Sequence, residues 1–154
     1  LPSYPADAWY YIQLPARCFY APSPARSFYA LSNPNMTTTF SSKDPGDVIV
    51  FTLDATAELA EGETLTAITE TDVTMAWNTD PVPAAVVSNP QINGAPVTSI
   101  KPNGQTVTIA AGQCVQAIGT GGLNACGYHI AITCTRSVTP QALVLKGILP
   151  VSAQ

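Results

Sequence analysis

From residue 47 onward, apolar and polar residues alternate with the period of two that marks strands burying one face. Val48-Ile49-Val50-Phe51-Thr52-Leu53 is β-branched and apolar, and the turn signal Asp44-Pro45-Gly46 leads into it. Ala57, Glu58, Leu59, Ala60 and Glu61 are good helix formers, but Gly62 limits a helix over residues 55–65 to about one turn. Thr64-Leu65-Thr66-Ala67-Ile68-Thr69 then alternates apolar with threonine. Val73-Thr74-Met75-Ala76-Trp77 continues the pattern and predicts Val73, Met75 and Trp77 on the core face. Val86-Val87-Ser88, closed by Asn89-Pro90, reads as a short edge strand, because proline is tolerated only where no ladder bond is lost. Asn93-Gly94 predicts a hairpin, followed by Pro96-Val97-Thr98-Ser99-Ile100, the turn Pro102-Asn103-Gly104 and the strand Thr106-Val107-Thr108-Ile109. A strand over 113–118 and a flexible loop at Gly119-Thr120-Gly121-Gly122 come next. The last two strands are the clearest. Residues 128–135 carry Tyr128, Ile130 and Ile132 on one face, and residues 142–149 carry Leu143, Leu145 and Leu149 opposite Val144, Lys146 and Ile148.

About seven to eight short strands separated by turn signals, with essentially no helix, specify an all-β fold, a sandwich in preference to a small barrel. Trp77, in an expected middle strand, and Tyr128, at the start of the penultimate one, sit where an immunoglobulin-like core places its tryptophan and its corner tyrosine. The paired cysteines of antibody domains are absent, since the strand around Leu65 has none. The expectation is a single immunoglobulin-like β-sandwich over residues 44–154 with Phe51, Trp77 and Tyr128 in its core, preceded by an extended N-terminal arm over residues 1–43.

That arm differs in composition from the body. Trp9, Tyr10, Tyr11, Phe19, Tyr20, Phe28 and Tyr29 are crowded among Pro2, Pro5, Pro15, Pro22, Pro24 and Pro34. Prolines deny such a segment a regular ladder or a long helix, and its rings need a surface to lie on; the surface expected is another subunit. The seven aromatic residues named are therefore the expected partner-binding residues. Arg17 and Arg26 stack on those rings or meet an acidic partner, or else they simply keep the segment soluble. The chain begins at Leu1, and Met36-Thr37-Thr38-Thr39 offers an alternative start that would leave the arm on some copies only.

Charged residues make up only 10% of the chain against roughly 25% in typical soluble domains, while hydrophobic residues reach 46%. A surface of Thr, Ser, Asn and Ala suits a protein held in a large assembly. The pI of 4.6 and the scattered Lys101, Arg136 and Lys146 argue against a nucleic-acid partner. No apolar run approaches the roughly 18 residues of a membrane span, and the first residues lack the pattern of a signal peptide, so no membrane partner is expected.

The sequence carries no recognisable catalytic or metal constellation, and neither enzyme activity nor a cofactor is expected. His129, the only histidine, is flanked by Tyr128 and Ile130 and should face away from the core as an ordinary surface strand residue. Asp44, Asp47, Asp54, Glu58, Glu61, Glu63, Glu70 and Asp72 form a mild acidic concentration, but their spacing matches no calcium loop and solvated carboxylates are the favoured reading. Gly119-Thr120-Gly121-Gly122 lacks the lysine and helix of a phosphate loop. Of Cys18, Cys114, Cys126 and Cys134, no two show zinc-ligand spacing. Cys126 and Cys134 share a strand face but sit too far apart to bridge; Cys114 pairs with one of them if its strand lies alongside, or all three are small buried hydrophobes.

From Phe40 onward the chain resembles a group of small bacteriophage virion proteins. The matching residues are Phe40, Lys43, Asp44, Pro45, Gly46, Asp47, Val48 and Asp54, then Tyr128, Ile130, Ile132 and Thr135, then Leu143 and Leu149. Many members carry tryptophans after the first strand, where this chain has Ala55, Thr56 and Leu59, and the arm has no counterpart. The resemblance implies a structural protein located on the virion, most simply a capsid decoration or cement protein. It would be a homo-oligomer bound through its arm to other virion proteins, the major capsid protein first among them. A neck or tail accessory, or an immunoglobulin-like module that binds host-surface glycans, are the alternatives.

Overall fold

The computed structural model describes residues 37–100 and 103–153. Trp9, Tyr10, Tyr11, Phe19, Tyr20, Phe28 and Tyr29, the expected partner-binding residues, lie outside them, as do Cys18, Arg17, Arg26 and Lys101. The described chain is all-β: β1 (Thr37–Thr39), β2 (Val48–Asp54), β3 (Leu65–Trp77), β4 (Val87–Ile92), β5 (Val97–Ile100), β6 (Thr106–Ile109), β7 (Cys114–Thr120), β8 (Cys126–Arg136) and β9 (Leu143–Val151). A single 3-10 turn at Pro83–Val86 precedes β4. The good helix formers after β2 make only turns, since Gly62 at φ 76° ends the segment before a helix can propagate.

The larger sheet has the order β1-β9-β8-β3 and the smaller the order β2-β7-β4, while β5 and β6 form a separate hairpin. Neighbours are antiparallel except β1, which runs parallel to β9 with Thr37 beside Lys146 and Thr39 beside Ile148. The β8–β9 register aligns Tyr128 with Leu149, Ile132 with Leu145 and Cys134 with Leu143, so the period-two pattern of both strands falls on one buried face. In the smaller sheet Phe51 pairs with Ala117 and Leu53 with Val115, and these residues join the same core cluster. Gly147 is opposite Ile130 because a Cβ there would stand 2.5 Å from Phe40, whose ring packs 5.0 Å from that of Phe51. Phe40 thus fills the space between the layers that a side chain at 147 would otherwise claim.

Three expectations need correction. Trp77 is not in the core: it is 43% exposed, and its strand lies at the edge of the larger sheet. The cause is an irregularity between Met75 and Trp77, where two residues of β3 advance against one of β8 and the side-chain parity reverses. Val73 remains buried and Met75 packs against the core, so only the last residue of the Val73-Met75-Trp77 set is turned out. Asn93-Gly94 closes no hairpin, because β4 pairs with β7 and β5 with β6. The Asn93 side chain is buried and occupied elsewhere, donating to the carbonyls of Ala95 and Ala110 and accepting from Cys114 N–H. Finally, the stretch 37–43 that the sequence assigns to the arm is laddered onto β9, through β1, the Phe40 N–H and a Lys43–Val151 bridge.

Leu149 is fully buried between the layers. Leu149→Ala should cost about 2–5 kcal/mol, seen as a lower urea midpoint at unchanged slope in equilibrium unfolding followed by circular dichroism.

Candidate functional site

The polar chemistry of the described residues gathers in three places. The first is the turn that opens β2. Asp47 N–H donates to the Asp44 carbonyl across Pro45-Gly46, and the Asp44 N–H donates to the Asp47 carboxylate at 3.2 Å. Lys43, only 3% exposed, folds back over this turn and donates from Nζ to the carbonyls of Asp44 at 2.8 Å, Asp47 at 3.1 Å and Gly121 at 2.7 Å. An ammonium has three donors, and each finds a carbonyl here, which is what allows a lysine to be buried. Desolvation lowers its pKa from the usual lysine value, and the charges of Asp47 and Asp44 oppose that shift.

The second place is the corner before β8. The Tyr128 hydroxyl donates to the Asp80 carboxylate at 2.6 Å and accepts from the Leu123 N–H at 2.7 Å, tying the β3–β4 connection to the loop after β7. Burial first, and then the bond to Asp80, pushes the phenol up to about 12, while the same bond and that from Val82 N–H hold the Asp80 carboxyl below its usual value. Nearby, the indole of Trp77 lies against Gly127: a Cβ at 127 would meet its ring carbons at 2.4 Å. The glycine gives the ring a flat seat on the outer surface of the sheet. Leu123 and Val82, 47% and 60% exposed, project from the two loops that meet at this corner.

The third is Glu63, which is fully buried. Its carboxylate accepts from the N–H groups of Ala60 at 3.0 Å and Thr139 at 2.8 Å, with Arg136 Nη1 at 3.9 Å. The hydrogen bond from Ala60 is the leading reason that its pKa falls to about 2, against the opposing cost of burial. Like Lys43, this carboxylate closes a turn, and it joins the loop before β3 to the β8–β9 connection.

His129 faces the outer surface as expected, in register between Thr74 and Ile148. The acidic residues do not converge. Asp54 accepts from Thr56 N–H and Oγ1 in the turn after β2, Glu63 is buried, and Glu70 and Asp72 lie exposed on β3. Among the described residues no group of three or more His, Cys, Asp or Glu could hold a metal ion. Cys114, Cys126 and Cys134 are buried free thiols, and burial raises Cys114 and Cys134 to about 11, so both stay protonated and unreactive near neutrality. A shallow open concavity of about 240 Å³ lies on the outer face of the smaller sheet, lined by Val50, Ile118 and the amides of Asn89, Gln91, Asn93 and Gln116. Those groups hydrogen-bond but offer no acid, base or nucleophile. No helix of the described residues is long and apolar enough to cross a membrane.

The sequence pattern singled out Tyr128 and the Lys43–Asp47 turn but not the bonds they make. Glu63 and Asn93 were missed as structural residues, since nothing local marks a carboxylate or an amide for burial. Comparison with protein-family models, with curated proteins and with solved structures finds no match to this chain.

Glu63 titrates at about 2 when folded against 4.5 for the free side chain, so its contribution is complete above about pH 5 and is lost as the pH falls toward 2. In urea unfolding across that range, Glu63→Gln should lower stability at neutral pH by about 1–3 kcal/mol and flatten the acid limb of the profile.

Proposed function

We propose that this chain is a structural protein of a bacteriophage virion, a capsid decoration or cement protein that attaches through its N-terminal arm to other virion proteins, the major capsid protein first among them. In this reading the body is an immunoglobulin-like β-sandwich. Support comes from strand order: β3-β8-β9 and β2-β7-β4 correspond to the C-F-G and B-E-D sets of that architecture, with β1 at the side of the last strand. The Tyr128 hydroxyl, bonded to the backbone five residues upstream, fits the corner tyrosine.

The observation that carries the anchoring role is the junction. Phe40 is packed on the core, the Lys43 backbone bridges to β9, and the Lys43 ammonium holds three carbonyls at the start of the body. An anchor holds only if its joint to the body is stronger than its attachment, and every residue of the Phe40–Asp47 motif that resembles the virion group belongs to this joint or to its turn. Docking of proline-fixed rings loses less chain entropy than docking of a glycine-rich segment. A ligand that binds only the assembled shell stabilises that shell by mass action.

Trp77 favours a second reading, a glycan-binding module on the virion or host surface, because an indole seated flat on Gly127 with its other face open can stack on a sugar ring.

Cosedimentation of the full chain and of a Met36-start version with purified virion shells or tails tests the first reading. The full chain should pellet and the short form should stay in solution; equal binding would move the contact to the body, and no binding by either would sink the anchoring role. For the second, Trp77→Ala should abolish retention on a glycan array while leaving the unfolding midpoint close to that of the parent, and an unchanged array profile would reject it.

A further inference from the structure

The two larger sheets of the described residues present four outer strands, and three of them are blocked against further pairing in ways that natural edges are. β1 is only three residues long. β3 is interrupted by three register irregularities and carries exposed Glu70 and Asp72. β4 contains Pro90 and a register shift between Ser88 and Gln91. β2 has none of these devices. Its seven residues pair one for one with β7 without a bulge, it contains no proline or cation, and its single charge is Asp54 at the far end.

The direction of its free groups follows from the ladder. Ala55 N–H donates to the Gln113 carbonyl, so alternate residues Leu53, Phe51 and Ile49 bond toward β7, while the N–H and C=O groups of Val48, Val50, Thr52 and Asp54 point to the open edge. The same residues carry the outer side chains, and Val48 and Val50 are 70% and 65% exposed beside Ile118. An apolar edge of this length that no other described strand covers is a template for one more strand.

We propose that β2 pairs with β2 of a second copy of this chain, antiparallel about a two-fold axis at Phe51, joining two three-stranded sheets into one of six. The strand is complementary to itself in that register. Val50 meets the partner's Thr52 and Val48 meets the partner's Asp54, so each outward N–H finds a carbonyl and the two carboxylates sit at opposite ends of the seam. A parallel addition would set like charges side by side. Because the pairing is isologous, each copy spends the same edge, and with the other outer strands of the two larger sheets blocked the contact closes as a dimer rather than growing into a fibre. The proposal does not rest on the virion reading.

The test is sedimentation velocity of the full chain over a range of concentrations, together with Val50→Pro and Val50→Lys, with hydrogen exchange of the β2 amides at the highest concentration. Proline at 50 removes an N–H that points away from β7, so the β2–β7 ladder survives; lysine places a charge on the seam without touching the backbone. The parent should dimerise with concentration, both variants should weaken dimerisation by about tenfold or more, and the amides of Val50 and Thr52 should be protected only in the parent dimer. A parent that stays monomeric, or dimerisation unchanged in a folded Val50→Lys protein, would overturn the proposal. So would protection of those amides in the monomer, which would mean that another segment of the same chain covers the edge.

Discussion

Everything in the described structure depends on the inward row of β8. Tyr128, Ile130, Ile132 and Cys134 are fully buried, and β8 is the strand that β9 and β3 both pair with while its side chains meet the opposite sheet. In a chain with so few charges, stability has to come from apolar burial and backbone pairing, and this row supplies both. The electrostatics fit around it. Glu63 and Lys43, the two buried charges among the described residues, are satisfied chiefly by backbone N–H groups and carbonyls rather than by ion pairs, with Arg136 standing 3.9 Å from Glu63. Each charge fixes a turn that the core alone would leave open, so the apolar centre and the polar seams do different jobs in one fold.

The all-β class, the two closing strands and the edge position of the strand that holds Val87 were legible because alternation and proline act locally, but that strand does not stop at Asn89-Pro90: it runs through both to Ile92, with only a register shift between Ser88 and Gln91. Tyr128 and Phe51 were placed correctly in the core for the same reason. Trp77 was not, since a bulge reverses parity without changing any residue type, and the Val73-Met75-Trp77 spacing looks unbroken in sequence. Asn93-Gly94 misled in a comparable way: a dipeptide suited to a hairpin was recruited by tertiary contacts from Ala110 and Cys114. The burial of Lys43 and Glu63 is a long-range fact, set by Gly121 and Thr139 far along the chain, and no window of sequence contains it.

The three polar clusters hold turns together and use up their own donors and acceptors, which leaves the chemistry of the molecule on its outside. The indole platform of Trp77 on the larger sheet and the valine edge of β2 on the smaller are two such features of the described residues. They lie on different sheets, so a partner on one leaves the other free. A copy paired through β2 would therefore keep its indole open to a sugar ring.

The parallel pairing of β1 with β9 has a mechanical meaning. The described domain begins with β1 and ends with β9, and in a parallel ladder the start of one strand and the end of the other lie at opposite ends of the seam. Tension drawn between Thr37 and Val151 therefore runs along the strands, loading the ladder bonds, the Phe40 bond and the Lys43 bridge at once instead of peeling them one after another. Three residues of β1 and a bridge thereby act as a shear clamp, so that pulling at both ends meets the seam where its resistance is greatest.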